Sequence, residues 1–363
     1  MCKKVFIAAT GQNCGKTTIS VSLMHLALKK YGRVGFIKPI GPKCTEFNGI
    51  TMDKDAALMA KIYGLDDDAR FMSPVVLTKH CTRRFLDGEI SIEVPVQQIT
   101  EACRELEAKN DFLIIEGAGH GGVGSVIGMN NARVARMLNA PVLMVSGGGI
   151  GNVIDAVQMN LALYEREQAD VRLLMVNKLF AEKRQSSLSY INKAFAGTNI
   201  RAMGAFDYSP VLANPTLQNI SRLLKEPLNG DSDGWNRIVH HIQLGAASSQ
   251  RVIDSLEEST LLVTTSSRDE LIVTASSLYH IPEYKEKIAG LIVSGFAQMS
   301  PITKKILDDS NIPYIRMHDT TANTFTALND HVSKISAEDE EKLHHITSQA
   351  EKVLDFDALD ALL

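Results

Sequence analysis

At 363 residues, the chain exceeds the size at which one hydrophobic core keeps growing, so two domains are expected. Apolar residues make up 45% and charged residues 22%, the proportions of an ordinary soluble globular protein, which excludes a disordered chain. With 38 basic and 42 acidic side chains the net charge is −4, so the charge balance makes no case for nucleic acid or an anionic membrane as the main partner.

No apolar run approaches the length of a membrane span, and Met1-Cys2-Lys3-Lys4 leads into a core strand rather than a signal peptide, so the expected location is the cytoplasm. All five cysteines (Cys2, Cys14, Cys44, Cys81 and Cys103) lie in the first 103 residues at no zinc-like spacing, and free thiols are expected. A C-terminal amidotransferase site with a cysteine nucleophile is excluded by the same distribution.

The first element is an apolar strand, Val5 to Ala9, running into Thr10-Gly11-Gln12-Asn13-Cys14-Gly15-Lys16-Thr17-Thr18 and then a helix over roughly Lys16 to Lys30. A buried parallel strand, a glycine-containing loop and a helix N-terminus together make a phosphate-binding loop, in which backbone N–H groups and the helix dipole face an anion. In that frame Lys16 neutralises the β- and γ-phosphates and Thr17 offers its hydroxyl to magnesium, which makes a nucleotide with Mg2+ the expected ligand. The usual pattern places its first glycine at position 10, where this chain has Thr10; Gly11 and Gly15 are expected to allow the tight turn. Cys14 is either an oxidisable thiol near a helix N-terminus or a small side chain that fits the loop.

A second strand, Arg33 to Pro39, carries Lys38 at its end, either beside the phosphates or as a solvated strand-end lysine. Asp55 opens the helix Asp55 to Tyr63, as a magnesium ligand through water or as a helix N-cap. Glu116 ends the strand Phe112 to Glu116; an acid after four core residues is costly unless paired, which favours a metal role. The turn Gly117 to Gly124 has too little side chain to pack, so its backbone is expected to approach a ligand, and His120 within it reads as a general base or a solvated loop histidine. Strands Pro141 to Ser146, Val171 to Asn177 and Ala202 to Phe206 and a helix Val153 to Tyr164 continue the alternation. This predicts an α/β parallel sheet flanked by helices, with Ala9, Lys38, Glu116 and Asn177 on one carboxyl edge. The Asn177 amide could pair with a nucleobase edge.

Prolines at Pro210 and Pro215 mark a boundary, and a smaller α/β set follows. It contains helix 248–258, strand Thr260 to Thr265, helix 268–279, strand Ala289 to Gly295, helix 301–310, strand Pro313 to Met317 and helices 320–331 and 338–352. The expected domains are 1–212, with the phosphate loop, and 213–363, including the C-terminal helices. The Arg268-Asp269 helix start either binds an anion or caps its helix.

Taken as a set, the loop Thr10–Thr18, Lys38-Pro39-Ile40, Asp55-Ala56, Glu116-Gly117-Ala118-Gly119 and Val176-Asn177-Lys178 resemble the dethiobiotin synthetase family and the related cobyrinic acid diamide synthases. The resemblance implies a P-loop NTPase fold, MgATP at Lys16 and Thr17, phosphoryl transfer to a carboxyl or carbamate oxygen assisted by Lys38, magnesium at Thr17, Asp55 and Glu116, and a base contact from Asn177. It departs at Gly41-Pro42 and Ile154-Asp155, where dethiobiotin synthetase has a small hydroxyl residue and an Asn-His pair. Ser266-Ser267-Arg268-Asp269, Gly290 to Gly295 and Tyr314 to Thr320 resemble the DRTGG domain, a regulatory or ligand-sensing module. The two together are similar to the N-terminal region of long phosphate acetyltransferases, whose catalytic domain would need some three hundred further residues, so acetyl transfer is not expected.

Two readings follow. One is an ATP-dependent, ligase-like enzyme acting on a small carboxylate. The other is a nucleotide-binding regulatory switch that senses a ligand through its second domain. Both expect a nucleotide partner, no nucleic acid, no membrane and a homodimer.

Overall fold

A computed structural model describes residues 2–329 and 335–363. The chain forms two compact units. One comprises residues up to Ser209 together with Ile335–Leu363, and the other begins at Pro210.

In the first unit, six strands make one parallel sheet: β1 (Lys3–Ala9), β2 (Val34–Ile37), β3 (Phe112–Glu116), β4 (Val142–Gly147), β5 (Val171–Asn177) and β6 (Arg201–Gly204), in the spatial order β6-β5-β4-β1-β3-β2. Residues Val5 to Ala9 and Phe112 to Glu116 are buried throughout, as central parallel strands covered on both faces require. Phe6, Ala8, Leu113 and Ile115 pack with Ile99 and Leu106 of a helix at Glu93–Lys109 and with Val153 and Val157 of a helix at Ile150–Arg166. Helix α1 (Lys16–Tyr31) packs against β1, β2 and β3. The order reverses at β1, because the chain goes first to β2 and β3 on one side and then to β4, β5 and β6 on the other. Open α/β sheets bind ligands at such a switch point.

In the second unit, β8 (His241–Leu244), β9 (Thr260–Thr265), β10 (Ile288–Ser294) and β11 (Tyr314–Arg316) are parallel and adjacent in chain order, and β7 (Leu228–Asn229) lies antiparallel on β11. Helices Ser249–Asp254, Asp269–Leu278 and Pro301–Asp309 share one core with Leu262 and Leu291, while Leu217–Leu224 and Thr321–Asn329 share another with Leu261 and Val263. The expected helix 320–331 is seen as Thr321–Asn329, and positions 330 and 331 lie outside the described residues. Among the described residues no helix is long and apolar enough to cross a membrane.

The expected grouping of the C-terminal helices with the second domain is corrected: Glu340–Val353 and Phe356–Asp360 belong to the first unit. Phe356 packs edge-on against Phe112 at 5.9 Å and Tyr31 at 6.4 Å, and Tyr31 stacks on Phe112 at 5.2 Å. Asp360 pairs with Lys3 at 2.8 Å and Lys30 at 2.9 Å and accepts from the Tyr31 hydroxyl at 2.7 Å. These partners sit at the C-terminal end of α1 (Lys30, Tyr31) and at the starts of β1 (Lys3) and β3 (Phe112), so the last helices pack on the phosphate-loop unit.

Burial alone would raise the Asp360 carboxyl, but the hydrogen bonds from Lys3, Lys30 and Tyr31 outweigh it and hold the group below the usual carboxylate range. A depressed carboxyl contributes stability above its unfolded pKa, and that contribution is lost as pH falls through the folded value. Asp360→Asn is therefore expected to lower the melting temperature at pH 7, with the gap to the parent closing below about pH 4. A melting series from pH 7 to pH 3 checks this, and a gap independent of pH would refute it.

Candidate nucleotide site

The loop after β1 is built on a fixed frame. The Thr10 N–H donates to the Val145 carbonyl at 3.0 Å and its hydroxyl bonds Ser146 Oγ at 2.9 Å, so Thr10 prolongs the buried strand where the usual pattern has a glycine. The turn falls on Asn13 (φ 59°) and Gly15 (φ 98°). A Cβ on Gly15 would lie 2.2 Å from Asn177 Nδ2, while one on Gly11 would stand at an ordinary 3.6 Å from Cys14 Sγ. The expectation that Gly11 serves the turn is thus corrected; of the two glycines only Gly15 takes a positive φ, with Asn13 beside it. Gln12 and Asn13 are exposed, and Cys14 Sγ lies 3.8 Å from the Thr10 hydroxyl.

Helix α1 starts at Lys16 with no side-chain cap and no acidic residue in its first turn, which includes Thr17 and Thr18. Among the described residues, the backbone N–H groups of Gly11 to Gly15 have no hydrogen-bond acceptor. A helix end and a turn with unsatisfied donors form a concave anion site. Lys16 Nζ meanwhile donates to the Gly119 carbonyl at 2.5 Å, and burial holds its pKa below the usual lysine value.

Beside the loop lies a buried charge cluster. Lys38, 2% exposed, donates to Glu116 Oε1 at 2.8 Å, pairs with Asp55, and stands 3.8 Å from Asp53 Oδ1. Glu116 is fully buried; its other oxygen accepts from Ser20 at 2.6 Å, and the Thr17 hydroxyl reaches Oε1 at 3.5 Å. Burial opposes the charge on Lys38, but Glu116, Asp55 and Asp53 outweigh it and raise the pKa well above the ordinary lysine value. The solvated reading of Lys38 is excluded.

The N-cap reading passes to Asp53: it caps the helix Lys54–Tyr63 by accepting from the Asp55 N–H at 2.9 Å, and Asp55 stands in the first turn. Burial raises the Asp53 pKa. The sequence reading missed Asp53, although it sits two residues before Asp55 at the end of a short strand, Ile50–Asp53. The metal expectation also changes form, since Asp55 and Glu116 converge on an ammonium, and among the described residues no three acidic, histidine or cysteine groups are spaced to hold a metal by themselves.

Asn177 was expected to meet a nucleobase edge. Its Nδ2 donates to the Cys14 carbonyl at 3.0 Å, its Oδ1 accepts from the Phe206 N–H at 3.2 Å, and it is 3% exposed. It is a brace of the loop. Two further asparagines escaped the sequence reading. Asn131 clamps the glycine turn through Ala118 and His120, and Asn160 ties Gly121 to the Thr10 carbonyl. A buried asparagine opposite a glycine-rich turn is the only sequence signal they offer. His120 is exposed, with Nδ1 accepting from the Gly122 N–H at 3.2 Å. The Arg268 guanidinium neither caps its helix nor stands free; it donates to Gly245 and Ala247 carbonyls at 3.0 and 2.9 Å. All five cysteines are free.

A parallel sheet with a phosphate loop at its switch point defines a P-loop ATPase-like unit. The AAA domain family pattern matches residues 3–216 and the DRTGG domain pattern residues 220–331; the chain belongs to the AAA domain family and carries a DRTGG domain behind it. It is 20% identical over 372 residues to phosphate acetyltransferase of Nitratidesulfovibrio vulgaris, covering 100% of this chain and 52% of the relative. ATP-dependent dethiobiotin synthetase of Thermodesulfovibrio yellowstonii is 23% identical over 195 residues, 51% of this chain and 78% of that one. This chain spans about half the length of the phosphate acetyltransferases it matches. Among solved structures, a putative plasmid partition protein of Borrelia burgdorferi B31 bound to AMPPNP aligns at 14% identity with a TM-score of 0.38, over 57% of this chain and 87% of that one. A likeness of that size defines no shared activity.

Proposed function

We propose that the first unit binds ATP with Mg2+ at Thr10–Thr18 and that the chain works as a nucleotide-dependent switch whose state is read through the DRTGG domain. The observation that carries the nucleotide reading is the uncapped start of α1 together with the unpartnered N–H groups of Gly11 to Gly15 before it, flanked by Lys16. The residues fit the metal as well. Three carboxylates share this corner with the ammonium groups of Lys38 and Lys16, which leaves an excess of negative charge. Mg2+ needs only one or two protein carboxylates when phosphates and water complete its shell. Thr17, Asp55 and Glu116 would hold it, and MgATP would supply a transferable phosphoryl group.

Support for a switch over a ligase comes from the acceptor side. A Cβ at Gly41 would lie 2.5 Å from Asp53 Cβ, which leaves no room for the hydroxyl residue of dethiobiotin synthetase, and Asp155 is an exposed surface acid. A second reading, phosphorylation of a small carboxylate, is favoured by the intact Lys38, Asp55 and Glu116 cluster. Acetyl transfer, the activity named for the longer relatives, is not proposed.

Phosphate release from ATP by the intact chain, with and without a panel of short carboxylic acids and of diamines with bicarbonate, separates the two. Slow turnover indifferent to every additive is expected. Stimulation of tenfold or more by one of them would make the protein a ligase.

A further inference from the structure

The acidic cluster fixes which way a nucleotide lies. Glu116 ends β3, the immediate neighbour of β1, and Lys38 follows β2 beyond it, so both stand on one side of the loop. The terminal phosphate and its cation belong on that side. The base then extends the other way, over the carboxyl ends of β4, β5 and β6.

Two exposed aromatic rings stand there. Phe180, three residues past the end of β5, is 60% exposed, and Tyr208, just past β6, is 52% exposed. At a spacing of about 4.8 Å per strand, β5 and β6 lie roughly 10 and 14 Å from β1, the distance a triphosphate and ribose must cross. The rings are held in advance. Lys178 N–H donates to the Phe206 carbonyl and Tyr208 N–H to the Leu179 carbonyl, both at 2.8 Å, and Arg184 fixes Asp207 at 2.7 Å. Their centroids are 6.3 Å apart at 45°, which is too close for a base to pass between, so a base would meet the pair from its exposed side. The polar side chains nearby are tied to the loop: Asn177 as above, and Lys178 Nζ to the Asn13 carbonyl at 2.8 Å.

We propose that Phe180 and Tyr208 are the platform on which the nucleobase stacks, and that stacking, rather than hydrogen bonding to the base edge, sets nucleotide preference. Purine nucleotides are favoured over pyrimidine nucleotides, with adenine and guanine held about equally. This rests on the nucleotide site proposed above.

Calorimetric titration of the intact chain with ATP, GTP, CTP and inorganic tripolyphosphate, each with Mg2+, tests it on the parent, Phe180→Ala, Tyr208→Ala and Tyr208→Phe. The alanine variants are expected to lose on the order of tenfold to a hundredfold in affinity for ATP and GTP, the range of base–aromatic stacking. Tripolyphosphate affinity should stay unchanged, and Tyr208→Phe should keep parental binding. An ATP preference over GTP above tenfold, or alanine variants that bind ATP as the parent does, overturns the platform. Alanine variants that change only oligomeric mass overturn it too, since the rings then meet a second copy of the chain. A parent that binds tripolyphosphate as tightly as ATP removes the platform and leaves the phosphate loop standing; a parent that binds neither removes both.

Discussion

Lys38→Met is expected to cost the fold about 3–5 kcal/mol at pH 7, the usual penalty for removing one partner of a buried ionic cluster. Methionine fills the space of the lysine stem but leaves Asp53, 1% exposed, and Glu116, fully buried, without their cation. The substitution removes a charge whose loss costs more than its presence contributes, because the carboxylates then repel one another in a place that water does not reach. The loss should depend on pH in a definite direction. Burial already raises Asp53 against the opposing pull of Lys38, so without Lys38 its carboxyl would rise further above the unfolded value. Groups with raised folded pKa values contribute stability at low pH and lose it as pH rises through those values. The deficit relative to the parent should therefore be largest at pH 7 and shrink towards pH 4, and adding Glu116→Gln to Lys38→Met should recover part of it. Urea unfolding of the three proteins at both pH values measures this. A deficit under 1 kcal/mol, or one that grows on acidification, would mean that the cluster is far wetter than its geometry indicates.

The second large effect separates two glycines that look alike in the sequence. Gly15→Ala puts a Cβ at φ 98° and within 2.2 Å of Asn177 Nδ2, so either the loop or its brace must move. Strain at such a backbone position costs of order 1–3 kcal/mol, and the displaced asparagine no longer holds the Cys14 carbonyl. Nucleotide affinity is expected to fall at least tenfold, since about 1.4 kcal/mol is a factor of ten. Gly11→Ala meets only an ordinary contact and should bind within about threefold of the parent. Equal behaviour of the two variants would show that the turn at Gly15 does not shape the site.

The strands of the first unit were legible because a parallel sheet covered on both faces writes uninterrupted apolar runs, as at Val5 to Ala9 and Phe112 to Glu116. Helix Glu93–Lys109 was not anticipated. Its apolar stripe of Ile99, Ala102, Cys103 and Leu106 is present, but Glu101, Arg104, Glu105 and Glu107 alternate with it and Pro95 interrupts its start. The convergence of Lys38, Asp55 and Glu116 could be expected from three strand-end or helix-start positions at one sheet edge. Asp53 could not, because its role depends on the Lys54–Tyr63 helix starting one residue before the expected Asp55. The return of the last helices to the first unit had no local signal at all. It depends on Phe356 meeting Phe112 and Asp360 meeting Lys3, contacts between residues far apart in the chain that no window of sequence contains.

The central claim is that the turn and helix start at Thr10–Thr18 form a nucleotide site. Titrating ATP with Mg2+ into the intact chain tests it most directly. One saturable site per chain, weakened in Gly15→Ala and kept in Gly11→Ala, is the predicted result; no saturable binding by the parent, or undiminished binding by Gly15→Ala, would contradict it.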